Sequence, residues 1–355
     1  MSFNPLRKTF MKFFIFLLTP LVFAALPSFA NTIQTITFGS CSKQSLPQPI
    51  WDSILKLDPD VFLFLGDNIY GDTTDMTKLR AKYAELGAVE GYKRLKKHCP
   101  VLATWDDHDY GKNDAGAEFS MKKESQEAFL DFFDEPKNST RRKTPGIYDA
   151  KIFGPAGKRV QFLLLDTRYF RSPLNKTGRP KFPAEGRRGP YSPVEDTDAT
   201  LLGEAQWQWL EAQLRKPAEL RILATSIQLV ANEHGWECWA NFPHERQRLY
   251  DLIKKTKANG MLAISGDRHR GEISKDADSL PYPIFDITAS GMNIKSRFSN
   301  ELNSQRVGSP YLDEHFGAVL VDWESGNLTL QIRDLKGIPI IQTRTHLDSL
   351  KFPNQ

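Results

Sequence analysis

The sequence predicts an α/β fold, because short buried strands alternate with amphipathic helices along most of the chain. The run Val61–Leu65 is wholly apolar and stops at a glycine, which is typical of a strand buried on both faces. Several similar runs are followed directly by aspartate, histidine, cysteine or arginine. Because ligands bind beyond the carboxyl ends of strands in α/β sheets, these observations predict one shared polar site.

The predicted elements cover most of the chain. Strand patterns occupy residues 32–38, 61–65, 101–104, 160–165, 221–226, 261–265 and 283–288. Helical patterns include residues 76–86, 120–133, 204–214 and 244–255. Near the end, residues 317–323 and 328–333 flank a Glu-Ser-Gly-Asn turn, which predicts a β-hairpin. No convincing linker divides the chain, so we predict a single domain over residues 31–355.

Residues 1–30 have the pattern of a secretory signal peptide. Three basic residues open the segment, an apolar run covers residues 13–25, and small residues precede Ala30, after which we expect cleavage. A retained membrane anchor is the alternative, but the apolar run is shorter than the ~20 residues that span a bilayer. We therefore predict a periplasmic or secreted protein with no transmembrane anchor after cleavage.

The charge of the chain bears on nucleic-acid binding, and its cysteine count bears on disulfide formation. The chain has 47 basic and 43 acidic residues, and the signal segment holds three of the basic ones. The remainder is nearly neutral, so no nucleic-acid patch is predicted. Three cysteines are an odd number, so at least one thiol is unpaired, while Cys99 and Cys238 could form a disulfide.

Five predicted strand ends carry groups that can bind metal or phosphate. They are Gly39-Ser40-Cys41, Gly66-Asp67-Asn68-Ile69-Tyr70, Trp105-Asp106-Asp107-His108-Asp109, Asp166-Thr167-Arg168 and Gly266-Asp267-Arg268-His269. A single aspartate after a strand is commonly a turn former or a helix cap. Five such strand ends together make that explanation insufficient, and they predict a functional site.

Clustered carboxylates repel one another unless a cation or a proton lies between them. A set that also contains histidine, tyrosine and cysteine suits a transition metal better than calcium alone. We interpret Cys41 as a metal-bound thiolate rather than a buried inert thiol. Tyr70 could bind the same metal as Asp67 or could be a buried ring with one hydrogen bond. In-line attack of a metal-held hydroxide on a phosphoryl group is the reaction that such a cluster serves.

These motifs resemble those of the alkaline phosphatase D (PhoD-like) family, a branch of the calcineurin-like metallophosphoesterases. The resemblance runs in order from Gly39 to about Ser290, and residues 105–114 are its most specific part. It implies a four-layer α/β/β/α sandwich with two central mixed sheets. It also implies a site for Fe³⁺ with Ca²⁺, or for another divalent pair among Mn²⁺, Zn²⁺ and Mg²⁺.

The resemblance also implies roles for individual residues. The metal ligands would be Cys41, Tyr70, Asp67, Asp107, Asn113, Asp267 and His269, with Asp67 bridging the two metals. His108 would steady the transition state or protonate the leaving group, beside the catalytic Asp107. Arg168 is a candidate phosphate clamp, because a guanidinium matches two phosphate oxygens at once.

Some features depart from the family pattern or leave alternatives open. The extra domain that precedes the Gly-Ser-Cys motif in larger bacterial members is expected to be missing here. Arg268 could tune substrate preference or point to solvent. Residues 172–198 are a lid or a mobile excursion, and residues 233–239 are expected to wall the substrate cleft.

The predicted function is an exported phosphoesterase that hydrolyses phosphate mono- or diesters, either small organic phosphates or lipid and wall-polymer esters. One alternative is a non-catalytic ligand-binding surface protein on the same fold. Another is a hydrolase of a different phosphorus ester, such as a phosphonate or a nucleotide.

Overall fold

The computed structural model describes residues 1–2, 32–178, 189–296 and 301–353. The predicted signal segment therefore lies outside the described residues, apart from its first two positions. The middle of the 172–198 segment lies outside them as well. None of the described helices combines the length and the hydropathy that a bilayer-spanning segment requires.

The first sheet has six strands in the order β14-β13-β12-β1-β2-β3. Its parallel half consists of β1 (Thr35–Gly39), β2 (Val61–Leu65) and β3 (Val101–Thr104). Its antiparallel half consists of β12 (His315–Asp322), β13 (Asn327–Asp334) and β14 (Pro339–His346). The predicted hairpin is confirmed as β12 and β13, and Gly326 in its turn has a φ of +74°.

The second sheet also has six strands, in the order β10-β11-β9-β8-β5-β4. Its parallel centre consists of β5 (Val160–Leu164), β8 (Leu220–Ala224), β9 (Met261–Ser265) and β11 (Ile284–Ala289). Antiparallel edges are added by β4 (Asp149–Phe153) and β10 (Gly271–Asp276). A short ribbon joins β6 (Asn175–Lys176) to β7 (Tyr191–Ser192) within the 172–198 segment.

Helices cover the outer face of each sheet. On the first sheet these are α1 (Ile50–Lys56), α2 (Met76–Ala88), α3 (Glu90–His98) and α5 (Lys122–Phe132), while the short α4 (Asp107–Tyr110) lies at the strand ends. On the second sheet they are α6 (Gly203–Leu214) and α7 (Pro243–Thr256). The predicted four-layer α/β/β/α sandwich with two central mixed sheets is confirmed.

Strand β2 shows how the layers are held together. Phe62 and Phe64 belong to the core formed with the helices on one face, whereas Leu63 belongs to the core shared with the second sheet. All five β2 side chains are fully buried, and each large apolar side chain buried in this way contributes roughly 1.5–3 kcal/mol. Side chains on the two faces of β2 therefore pack against the helices and against the second sheet. This packing fixes the position of the strand whose end carries Asp67.

The three cysteines are buried and unpaired. Cys99 packs in the helical core of the first sheet, and Cys238 lies in the loop before α7 on the second sheet. The disulfide between them that the sequence left open is not formed, because the two thiols belong to opposite layers of the sandwich.

Candidate metal centre

A cleft of about 600 Å³ opens where the carboxyl ends of the parallel strands of both sheets meet. Its lining includes six predicted site residues: Asp67, Asp107, His108, Asn113, Asp267 and His269. Cys41 and Tyr70 lie directly beneath, in contact with this set. The structure therefore brings together every predicted metal ligand at one place.

The backbone at the strand ends adopts left-handed conformations that most residues avoid. Cys41, Asp67, Asp267 and His269 have φ values of 57°, 50°, 67° and 52°. Each such conformation costs of order 1–3 kcal/mol, and the surrounding fold must hold it in place. Four predicted ligands adopt it, which turns their side chains toward a common point and indicates a functional constraint.

The two glycines that precede the aspartates are required for different reasons. Gly66 has a φ of +96°, and a Cβ there would lie 2.4 Å from the Cβ of Asp106. Gly266 has no positive φ, but a Cβ there would lie 2.6 Å from Ser40 Oγ. Gly66 thus provides a left-handed turn before Asp67, and Gly266 allows the two sheets to approach.

One group of donors combines sulfur, oxygen and nitrogen. Ligand atoms of Cys41, Asp67 and His269 lie within 4.8 Å of one another. Tyr70 joins this group, because its Oη donates to Asp67 Oδ2 at 3.3 Å and lies 3.2 Å from His269 Nε2. Burial raises the pKa of the Cys41 thiol, and the nearby Asp67 raises it further, so the thiolate needs a neighbouring positive charge.

A second group lies beside the first and shares one member with it. Ligand atoms of Asp67, Asp107 and His108 also lie within 4.8 Å of one another. Asp107 Oδ2 accepts hydrogen bonds from Asn113 Nδ2 at 3.1 Å and from the backbone N–H of Asp114 at 2.6 Å. Asp67 is thus the common member of two adjacent groups of donors.

His108 is held by a carboxylate that the sequence analysis did not assign. Its Nδ1 lies 2.7 Å from Asp72 Oδ2, and its ring stacks at a tilt on Tyr70 with centroids 4.3 Å apart. Burial opposes the charged ring, but Asp67 and Asp107 outweigh this effect and raise the pKa of His108 to about 11. Asp72 follows a Gly in the same motif as Asp67, and this repeated Gly-Asp pair was the available signal for it.

Asp267 lies on the cleft wall next to Arg268. Burial raises the pKa of Asp267 to about 7, although Arg268 opposes this shift. Arg268 was predicted either to tune substrate preference or to point to solvent. Its side chain is only 10% exposed and it lines the cleft, so the solvent alternative is wrong.

Arg168 lies beneath the cleft rather than in it. Its guanidinium is fully buried, and it donates to Asp106 Oδ1 at 2.6 Å and to Glu237 at 2.7 Å. Arg171 pairs with the same Glu237 at 3.0 Å. With its donors directed at two carboxylates and no surface on the cleft, Arg168 fits a positioning role better than the predicted phosphate clamp.

Two loops that the sequence singled out reach the cleft. Trp236 and Glu237, from the 233–239 segment, line it. Tyr191, at the end of the 172–198 segment, lines it too and donates to Asp114 Oδ2 at 2.5 Å. Neither Tyr191 nor Asp114 was assigned a role from the sequence, because their contact joins positions 77 residues apart.

The donor set fits a cation. Asp67 Oδ1 and Asp267 Oδ2 are buried and accept no hydrogen bond from any residue that the structure describes. A buried carboxylate oxygen in this state is costly unless a positive charge compensates it. Thiol, phenol, imidazole and carboxylate donors in one cluster are the ligands expected for a transition metal rather than for magnesium or calcium alone.

The layers and the position of this cleft define a metallophosphatase-type α/β/β/α sandwich. The structure is similar to that of a dimetal phosphatase from Danio rerio, with a TM-score of 0.53 and 14% identity, covering 89% of this chain and 100% of that one. It is also similar to the structure of PhoD, with a TM-score of 0.67 and 17% identity, covering 89% of this chain and 69% of that one.

The chain belongs to the PhoD-like phosphatase family, whose model matches residues 36–315. A curated relative, alkaline phosphatase D of Bacillus subtilis (strain 168), is 24% identical over 314 residues. The match covers 76% of this chain and 52% of the relative, so the chain spans about half the length of that protein.

Proposed function

We propose that this chain is an exported metal-dependent phosphoesterase that hydrolyses phosphate mono- or diesters. The observation that carries the proposal is the position of Asp67, which belongs to both groups of potential ligands. A carboxylate shared in this way suits two adjacent cations, and the family membership supports a phosphate ester as the substrate.

The two groups differ in the metal that they would favour. Cys41, Tyr70 and His269 provide sulfur, phenol and imidazole donors, which favour iron or another transition metal. Asp107 and Asn113 provide oxygen donors, which favour calcium or another hard divalent ion. Bound metals would supply Lewis-acid activation of water and neutralise phosphate charge. Fe³⁺ with Ca²⁺ is the pair that we propose, and Mn²⁺, Zn²⁺ or Mg²⁺ are the alternatives.

The protein itself would contribute a proton donor and a fixed frame. Asp72 accepts from His108 Nδ1, which orients the ring and favours a proton on its other nitrogen. A His108 held in this way can donate to a phosphoryl oxygen or to the leaving group. Beneath it, the buried pairs of Arg168 with Asp106 and Glu237 hold the strand ends in place.

The substrate and the location are part of the proposal. A cleft of about 600 Å³ is large enough for a small organic phosphate or for the head group of a lipid ester. The signal pattern in residues 1–30 supports the periplasm or secretion. Recovery of the protein from the exported fraction with a new N-terminus after Ala30 would test this point, and an intact N-terminus in the cytoplasm would contradict it.

The activity is tested by metal analysis together with hydrolysis of p-nitrophenyl phosphate and bis(p-nitrophenyl) phosphate. We expect about two metals per chain in the wild type, and we expect Asp67→Asn to lose both metal and turnover. Asp58→Asn is the matched control, because Asp58 is exposed and also has a positive φ. Absence of bound metal, with no turnover above the Asp67→Asn background, would overturn the proposal.

A further inference from the structure

One wall of the cleft carries a guanidinium next to a predicted metal ligand. Arg268 Nη1 lies 3.6 Å from Asp267 Oδ2, and both residues line the cleft. Among the described residues, the buried Nε has no hydrogen-bond acceptor. Arg268 is therefore a nine-tenths-buried cation whose hydrogen-bonding capacity is only partly used.

Arg268 is also held in one orientation. Its Nη2 is paired with Glu301, and its guanidinium lies over the ring of Trp236, 4.8 Å from the ring centroid. A guanidinium that already stacks on an indole and pairs with a carboxylate loses little further conformational entropy when it binds an anion. These contacts hold Nη1 of the guanidinium close to Asp267 before any ligand binds.

A second guanidinium lies behind Arg268 at this wall. Glu301 pairs with Arg270 at 3.1 Å as well as with Arg268, so two guanidinium groups share one carboxylate. Arg270 is almost completely buried and does not line the cleft, which leaves Arg268 as the member of this group that a ligand can reach. Arg268 is therefore the guanidinium of this group that faces a ligand in the cleft.

A phosphate monoester and a phosphate diester differ in the feature that this side chain can detect. At neutral pH a monoester carries a charge near −2 and three unesterified oxygens. A diester carries one negative charge, and a second substituent occupies one of those oxygens. A charge-assisted bond from a guanidinium to the additional oxygen would stabilise only the monoester.

We propose that Arg268 forms an anion-binding subsite beside Asp267 and that it selects phosphate monoesters over diesters. This inference rests on the proposed function and names the substrate class of the same cleft. It assigns to Arg268 the phosphate contact that the sequence assigned to Arg168.

The test compares kcat/KM for p-nitrophenyl phosphate and bis(p-nitrophenyl) phosphate in the wild type and in Arg268→Gln, at equal metal content. We expect the variant to lower kcat/KM for the monoester roughly 10- to 100-fold more than for the diester. Arg268→Lys keeps the charge but loses the planar fork, and we expect an intermediate ratio. The matched control is Lys43→Gln, which removes a cation from the same cleft and should leave the ratio within about threefold.

A second measurement separates this inference from the proposed function. Titration calorimetry with inorganic phosphate should show weaker binding to Arg268→Gln than to the wild type, whether or not either protein hydrolyses an ester. Equal losses on both ester substrates, or unchanged phosphate binding, would overturn the inference. Either result would mean that Arg268 only neutralises Asp267. If the metal-loaded wild type hydrolysed neither ester, that result would count against the proposed function instead.

Discussion

Asp72 and His108 form a carboxylate–imidazole pair at the edge of the metal centre, with Nδ1 and Oδ2 2.7 Å apart. Asp72 has a φ of 44°, so a left-handed turn after β2 directs its carboxylate toward the helix that begins after β3. The pair joins the loop after β2 to helix α4, and the sequence relates these two segments only in that each follows a parallel strand. It provides the most direct test of whether His108 acts as a proton donor.

Asp72→Asn should weaken catalysis without removing metal. The change keeps the shape of the side chain but removes the charge that orients His108 and that, after Asp67 and Asp107, helps to raise its pKa. Losses of about 10- to 100-fold are typical of such partners. The loss should be larger for phenyl phosphate than for p-nitrophenyl phosphate, because the poorer leaving group needs the proton more. Equal losses on the two substrates, or a lower metal content, would assign Asp72 a structural role instead.

Cys41→Ser should change which metal the protein holds. The substitution replaces a soft thiol with a hydroxyl in a fully buried position that also contacts Asp67 and Ser290. We expect the affinity for a thiophilic metal to fall at least about tenfold. Elemental analysis after dialysis against equal metal concentrations would measure it. Cys99→Ala is the control for loss of a buried thiol, and a similar loss of metal in that variant would contradict the assignment.

Glu237→Gln should destabilise the fold more than it alters substrate binding. Glu237 is almost fully buried and pairs with Arg168 and Arg171. Removing its charge leaves Arg168 with Asp106 alone and takes from Arg171 the carboxylate that it pairs with among the described residues. Breaking a buried pair in this way costs about 3–5 kcal/mol. Urea denaturation would measure the loss, with Glu211→Gln as a surface control that also breaks arginine and lysine pairs. Unchanged stability with a raised KM would restore the phosphate-clamp interpretation of Arg168.

The parts of the fold that the sequence predicted well are those whose pattern has a single physical explanation. β2 was predicted to the residue because both of its faces are buried and only apolar side chains satisfy that environment. β14 was not predicted, because its side chains are exposed or half-buried at the edge of the first sheet, so polar residues occupy both faces. α3 was not predicted either, because lysine, arginine and histidine dominate its exposed side.

The same limit applies to the site. Residues directly after strands were identified, because strand ends converge in every α/β sheet. Arg168 was placed among them, but its partner Glu237 lies 69 residues further along the chain, and that distant carboxylate keeps the guanidinium beneath the cleft. Tyr191 and Asp114 were missed for the same reason. Which polar residue faces the ligand depends on tertiary partners that spacing alone does not reveal.

Gly66→Ala tests whether the turn before Asp67 is a steric requirement. Gly66 and Gly157 both have positive φ values, +96° and +87°, so alanine is strained at either position. A Cβ at Gly157 meets nothing within 4 Å, whereas one at Gly66 would lie 2.4 Å from the Cβ of Asp106 and 2.7 Å from its backbone nitrogen. Comparing the two variants therefore separates the backbone cost from the cost of collision.

We expect Gly157→Ala to lose about 1–2 kcal/mol of unfolding free energy, the cost of a left-handed alanine. Gly66→Ala should lose at least about 2 kcal/mol more, because backbone atoms rather than a flexible side chain obstruct the methyl group. It should also lose metal, since Asp67 directly follows Gly66 and a backbone shift that relieves the collision would displace its carboxylate. Urea denaturation and metal analysis would measure both effects. Equal losses in the two variants would mean that the strand end relaxes freely, so that Asp67 is not held by the packing of Gly66 on Asp106.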